Sequence, residues 1–152
     1  MFQRLVATRR DWALTFIRLV LGIVFFPHGA QKMLGWFGGY GFSATMGFFT
    51  HQGIPALFAF LAICAEFFGS LGLILGFLTR IAAFGIMCNM VVAIATVHTR
   101  NGFFMNWTGQ QKGEGFEFHL LVLGIGLTLL VWGAGAQQSL HIGLIDGKQA
   151  VA

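Results

Sequence analysis

The sequence predicts an all-α membrane protein, a bundle of four transmembrane helices with short interfacial helices in its outer loops. Three observations carry that prediction. Hydrophobic residues make up 57% of the 152 positions and charged residues 9%, whereas soluble domains carry roughly 25% charged residues. Four apolar runs follow one another, each close to the roughly 20 residues that a bilayer crossing needs. The arginines sit at the ends of those runs, as topology signals do. With no basic stripe between polar residues, the net charge of +4 predicts no nucleic-acid partner. The length fits one domain over 1–152.

The first span is Trp12 to Leu34. The N-terminus before it is basic, but no short apolar core with a small-residue cleavage site follows, so the segment reads as retained. Within the span, Arg18 to Lys32 carries an arginine, a proline, a histidine and a lysine. At about 100° per residue, Lys32 falls roughly 40° from Arg18 and His28 roughly 80° from it. One side of the helix is therefore polar. A charge facing lipid at mid-bilayer costs about 2.5 kcal/mol or more, so this side must face protein, water or a ligand. Pro27 removes a helix hydrogen bond and favours a kink beside His28.

The first outer loop is rich in Gly and aromatics, and Phe42, Met46 and Phe49 recur at helical spacing. That suits a short helix lying in the interface. Trp36, Phe37 and Tyr40 precede it. The second span is Pro55 to Phe77, with proline at a helix start. Glu66 sits in its middle, on a face shared with Gly69, Ser70 and Gly76. Small residues let a partner helix approach, and an acid on such a face is normally paired or neutral. The third span is Ile81 to about His98, where Gly85, Asn89 and Ala93 form a small-residue ladder and Asn89 is an interhelical hydrogen bonder. The second outer loop places Phe103, Phe104 and Trp107 beside polar residues, as an aromatic belt or a lid. The fourth span runs from Glu117 to Trp132, fraying towards Gly135. Its spacing puts Glu117, Leu121, Gly124 and Thr128 inward, with His119 about 160° away from Glu117 and interfacial.

Arg4, Arg9, Arg10 and Arg80 lie on one side of the membrane, with Lys148, which predicts both termini in the cytoplasm. The tail after Gly135 is short, polar and surface-bound. Cys64 and Cys88 lie in apolar runs without a CxxC and read as inert thiols.

Depth counting assembles a site. At 1.5 Å per residue, Arg18 lies about 9 Å above the inner end of the first span, His28 about 24 Å, and Glu66 about 21 Å above the inner end of the second. Glu66 is thus expected to meet His28 or Arg18, with Lys32 snorkelling at the outer rim. The group serves either as structural polar glue or in proton and ligand handling. His98 and Glu117 add ionisable groups near the outer leaflet. His28, Glu66, His98 and Glu117 include metal-ligand types but lack diagnostic spacing, so no metal is predicted. His28 and His98 meet the requirement for haem ligation loosely, and no haem motif supports it.

These residues also carry a family resemblance. Arg18-Leu-Val-Leu-Gly22, Pro27-His28-Gly29, Lys32 and Gly35-Trp36-Phe37-Gly38-Gly39 resemble the opening motif of the DoxX family of small four-span bacterial membrane proteins. Glu66-Phe67-Phe68-Gly69, Gly72, Gly76 and Thr79-Arg80 resemble its second motif. His98, Gly102-Phe103-Phe104, Gly115-Phe116-Glu117, Gly133-Ala134-Gly135 and Ser139-Leu140 resemble the rest. The family pattern usually has an Asp after the final Ser-Leu, where this chain has His141. The resemblance implies a multi-pass protein of the bacterial inner membrane. The family takes its name from a subunit of a thiosulfate:quinone oxidoreductase, so the resemblance also implies a quinone-linked redox role.

On that reading His28, Glu66 and Arg18 are the catalytic candidates, and Trp36, His98, Phe103 and Glu117 line the ligand. A quinone needs apolar walls and one or two proton donors to its carbonyl oxygens. It enters as substrate, and the sequence has no evident flavin, iron–sulfur or haem motif, which leaves the cofactor open. The expected partners are the lipid bilayer, a soluble redox protein and a second copy of the chain. The alternative is a non-enzymatic scaffold, or a small-solute or proton conduit that assembles with a soluble partner.

Overall fold

A computed structural model describes residues 11–135. Arg4, Arg9, Arg10, the run Ser139-Leu140-His141 and Lys148, with the surface-bound tail expected after Gly135, lie outside the described residues. Those that are described form five α-helices and a 3₁₀ turn, with no strand among them. The helices are α1 (Trp12–Leu34), α2 (Gly41–His51), α3 (Ala56–Leu75), α4 (Thr79–Thr96) and α5 (Glu117–Trp132). The 3₁₀ turn is His98–Asn101. α1, α3 and α4 are each long and apolar enough to cross a membrane, and α5 is a shorter apolar helix of 16 residues.

Each boundary has a local cause. Asp11 caps α1, its carboxylate accepting the Ala13 N–H at 2.8 Å. α1 runs through Pro27 and stops where Gly35 takes a left-handed φ of 74°. α3 starts after Pro55, as the sequence predicts, and ends two residues earlier than expected because Gly76 turns left-handed at φ 70°. Leu78 follows with φ 47°, so the α3–α4 connection is only a tight turn. α4 therefore begins at Thr79 rather than Ile81, and the chain re-coils into the 3₁₀ turn before His98 can extend it. α5 ends at Trp132 rather than Gly135, with Gly133 at φ 85°.

α1 packs on α3, α3 on α4, α4 on α5, and α5 returns to α1. α2 lies against α1 and α3, joined to the latter by the Phe42–Phe60 ring contact, with centroids 6.2 Å apart. The middle of this array is a buried cluster that includes Leu21 and Phe25 from α1, Leu73 from α3, Ile86 from α4 and Leu129 from α5. Phe16, Leu57, Phe58, Phe84 and Leu121 stay on its outside, as residues that contact lipid do.

The inward stripe of α5 differs from the one expected. His119, Val122, Gly126 and Leu129 are buried, while Leu121 is 68% exposed. Gly126 decides it. A Cβ there would lie 2.5 Å from Met87 Cγ, so this glycine is where α4 presses on α5. Gly124 has open space around it.

Candidate functional site

Gly29 positions the upper cluster. A Cβ at Gly29 would lie 2.6 Å from Phe67 Cα and 2.7 Å from the Glu66 carbonyl carbon. α1 and α3 therefore touch backbone to backbone, and a residue one turn further along α1 is delivered onto Glu66. That residue is Lys32. Its Nζ donates to Glu66 Oε2 at 2.5 Å, the one ion pair among the described residues whose partners are both named side chains in the array.

Asn89 of α4 completes the cluster. Its Nδ2 donates to the Ala62 carbonyl at 2.8 Å and approaches Glu66 Oε1 at 3.4 Å. Asn89 is thus the interhelical hydrogen bonder that its place in the small-residue ladder predicts. Gly85, one turn below, sits where a Cβ would lie 3.0 Å from Ala65 Cβ, which lets α4 come close enough. Glu66 is 7% exposed. Its two oxygens are thus committed to α1 and α4, and the cluster binds three helices together.

This corrects the expected pairing. Glu66 meets Lys32, not Arg18 or His28. The lysine stem does not snorkel outward; it runs inward to the acid, because burying Glu66 without a partner costs more than immobilising a lysine. His28, one turn below Lys32, is exposed, and its ring neighbour is Phe25 at 6.2 Å. Arg18 is 2% exposed and lies 14 residues below Lys32 on α1, about 21 Å away along the helix. It does not belong to this cluster.

A second cluster forms where α4 gives way to the 3₁₀ turn. The rings of His98 and His119 lie 4.0 Å apart at 45°. His98 Nδ1 is 2.8 Å from the Glu114 carbonyl oxygen. His119 is 7% exposed, so the expectation that it is interfacial is overturned. Its partner is His98, not a group shared with His28. Among the described residues no three His, Cys, Asp or Glu side chains gather to hold a metal ion.

Glu117 serves the loop rather than the helix interior. Its Oε1 accepts the Met105 N–H at 2.9 Å and the Trp107 indole N–H at 3.0 Å. Glu114 Oε2 accepts the Asn106 N–H at 2.6 Å, and the Phe103 carbonyl accepts the N–H groups of Phe116 and Glu117. The loop is therefore folded by its own acids. Phe103 packs edge-on against Phe104 and Phe116, at 5.1 and 5.4 Å. Trp36 is exposed beside Phe37.

Of the residues singled out in the sequence, Glu66 thus sits with Lys32 and Asn89, His98 with His119, and Glu117 with its own loop. Lys32 and His119 are the additions. Lys32 was signalled by its place three residues after a glycine that lets two backbones touch. His119 had a signal of equal strength to its rival, since the spacing 119, 122, 126, 129 is as regular as 117, 121, 124, 128.

Comparison with known proteins agrees with this architecture. The family model described as DoxX matches residues 13–99. The protein named "Putative oxidoreductase CatD" of Bacillus subtilis (strain 168) is 30% identical over 113 residues, covering 74% of this chain and 75% of that protein. No solved structure gives a significant match.

Proposed function

Because this chain belongs to the DoxX family, we propose that it is a quinone-linked component of a membrane oxidoreductase. The observation that carries the reading is the buried Lys32–Glu66–Asn89 network with His28 one turn below it. It is an ionisable group set inside an apolar helix array, and such groups mark proton and ligand paths. The name of the Bacillus subtilis relative supports the redox half of the proposal. Quinone reduction to quinol takes two electrons and two protons. His28 hands protons to the quinone oxygen, the Lys32–Glu66 pair fixes its surroundings, and a soluble redox partner supplies the electrons. Trp36 and Phe103 supply flat apolar walls near the same end.

In this proposal α5 is the fourth span of a four-helix bundle, α2 lies in the outer interface, and the protein sits in the inner membrane with both termini in the cytoplasm. The test is binding of a quinone analogue to the purified protein. The analogue should quench tryptophan fluorescence, and His28→Ala should weaken binding about tenfold, the effect of losing one hydrogen bond to a ligand oxygen. Unchanged affinity in both His28→Ala and Glu66→Gln sinks this site.

A second reading has its own support. Both Glu66 oxygens have partners within the chain, as in a purely structural joint, which suits a scaffold or conduit. Lipid extracts and absorption spectra of the purified protein separate the two readings. A co-purifying quinone favours the first, and its reproducible absence the second.

A further inference from the structure

Arg18 is 98% buried by its 2% exposure, and its Nε and Nη1 have no hydrogen-bond acceptor among the described residues. A buried guanidinium without a counter-charge is among the costliest arrangements a protein can hold. Its surroundings identify what completes it. Gly22, one turn above, packs on Ser70 and Ile74 of α3, with a would-be Cβ 3.0 Å from the Ser70 carbonyl oxygen. That register puts Arg18 level with the end of α3 and the turn into α4.

A second orphan stands at this level. Thr79, the first residue of α4, is 5% exposed, and its hydroxyl also has no partner among the described residues. Leu21 and Ala82 share one buried cluster, and Arg18 and Thr79 each lie three residues, one turn, below them. Both donors thus border the same end of the core. Gly133, Ala134 and Gly135 are buried beneath it, and Gly135 packs on Thr15, one turn from Arg18, where a Cβ would lie 2.5 Å from the Thr15 nitrogen.

Every group in this compartment is a donor or a cation. Arg80 follows Thr79 directly. Asp11 is the nearest acid on α1, and its carboxylate is occupied in capping that helix. A planar fork of N–H donors, an added hydroxyl and a second guanidinium nearby match a phosphate better than a carboxylate, in charge and in number of acceptors. We infer that Arg18 and Thr79 form a binding site for a phosphate-class oxyanion at the α3–α4 turn end of the helix array. The inference is independent of the redox reading, because the site lies about 21 Å along α1 from Lys32.

The oxyanion comes either from inorganic phosphate or from the headgroup of an anionic lipid. The test is thermal unfolding of the full-length protein, followed by tryptophan fluorescence. One arm titrates inorganic phosphate in detergent. The other compares phosphatidylcholine nanodiscs with and without phosphatidylglycerol. Wild type should gain about 5–10 °C at a hundredfold excess over half-saturation, while Arg18→Met gains nothing. Arg18→Met should also unfold above wild type in phosphate-free detergent, since an apolar chain removes an uncompensated charge. Thr79→Val should weaken the response several-fold, and Arg18→Lys, which keeps the charge without the fork, should respond weakly if Arg18→Met does not fold.

A shift with phosphate in detergent assigns the free ion, and a shift confined to phosphatidylglycerol discs assigns the lipid. No shift of wild type in either arm overturns the site, as does an equal shift in Arg18→Met. Asp146→Asn tests the chain's own acid. If it destabilises wild type but not Arg18→Met, that acid is the counter-charge and the oxyanion site is overturned.

Discussion

Removing Lys32 and removing Glu66 should not be equivalent. Glu66 is 7% exposed, while the Lys32 side chain keeps 27% of its surface accessible. Lys32→Met leaves an acid that cannot reach water, and breaking a buried pair in this way costs roughly 3 kcal/mol or more. Glu66→Gln leaves a lysine that can swing to the surface, so its cost should be nearer 1 kcal/mol. Chemical unfolding in detergent measures both. The double variant Lys32→Met/Glu66→Met should recover most of the loss, because an apolar pair of similar volume carries no desolvation penalty. Additive losses in the double variant would show that the pair is not the unit described above. Asn89→Leu removes one bond to the Ala62 carbonyl, and interhelical bonds of this kind are worth about 0.6 kcal/mol. Its effect should be the smallest of the four. Glu117→Gln belongs to a different ledger. It should leave the helices intact but loosen the loop, read as faster proteolysis between Phe103 and Phe116 and a shifted Trp107 emission.

Among the elements, the glycines separate packing sites from idle ones. Gly29→Ala brings a Cβ within 2.7 Å of two α3 backbone atoms, which cannot move aside as a side chain can. It should push α1 off α3, separate Lys32 from Glu66 and lower stability by about 3 kcal/mol or more. Gly124→Ala meets open space and should be neutral or stabilising by about 1 kcal/mol from helix propensity. If the two variants unfold alike, the close approach at Gly29 is wrong. The same contrast explains what could be read from the chain alone. Helix positions followed from apolar runs, Asp11, Pro55 and the glycine stops, and all were placed within about two or three residues. The facing of α5 was not legible, because Gly124 and Gly126 offer two stripes of equal regularity. Only the position of Met87 on a neighbouring helix chooses between them. The partner of Glu66 was missed for a related reason. Depth counting locates an α-carbon, and a lysine side chain reaches about one helical turn beyond its own.

For the whole molecule, orientation is the property most open to a direct test. In a background free of Cys64 and Cys88, a cysteine placed at Thr108 should be labelled from outside the cell by a membrane-impermeant maleimide. A cysteine at Arg80 should be labelled only after the cells are opened. The reverse pattern would invert the proposed topology and move the histidine pair to the cytoplasmic face. One proportion of the fold bears on the membrane itself. α1 has 23 residues and α5 has 16, about 34 Å against about 24 Å of helix. With α5 as a span, the protein is a wedge whose hydrophobic belt narrows on one side. Lipid there must thin to meet it, at fractions of a kcal/mol per Å of mismatch. The bilayer would then dip beside α5, whose first turn carries His119, and bring the aqueous boundary closer to the His98–His119 pair than a flat membrane would allow. Such a protein should be more stable in short-chain than in long-chain lipid, and its companions in the membrane would be chosen partly by thickness.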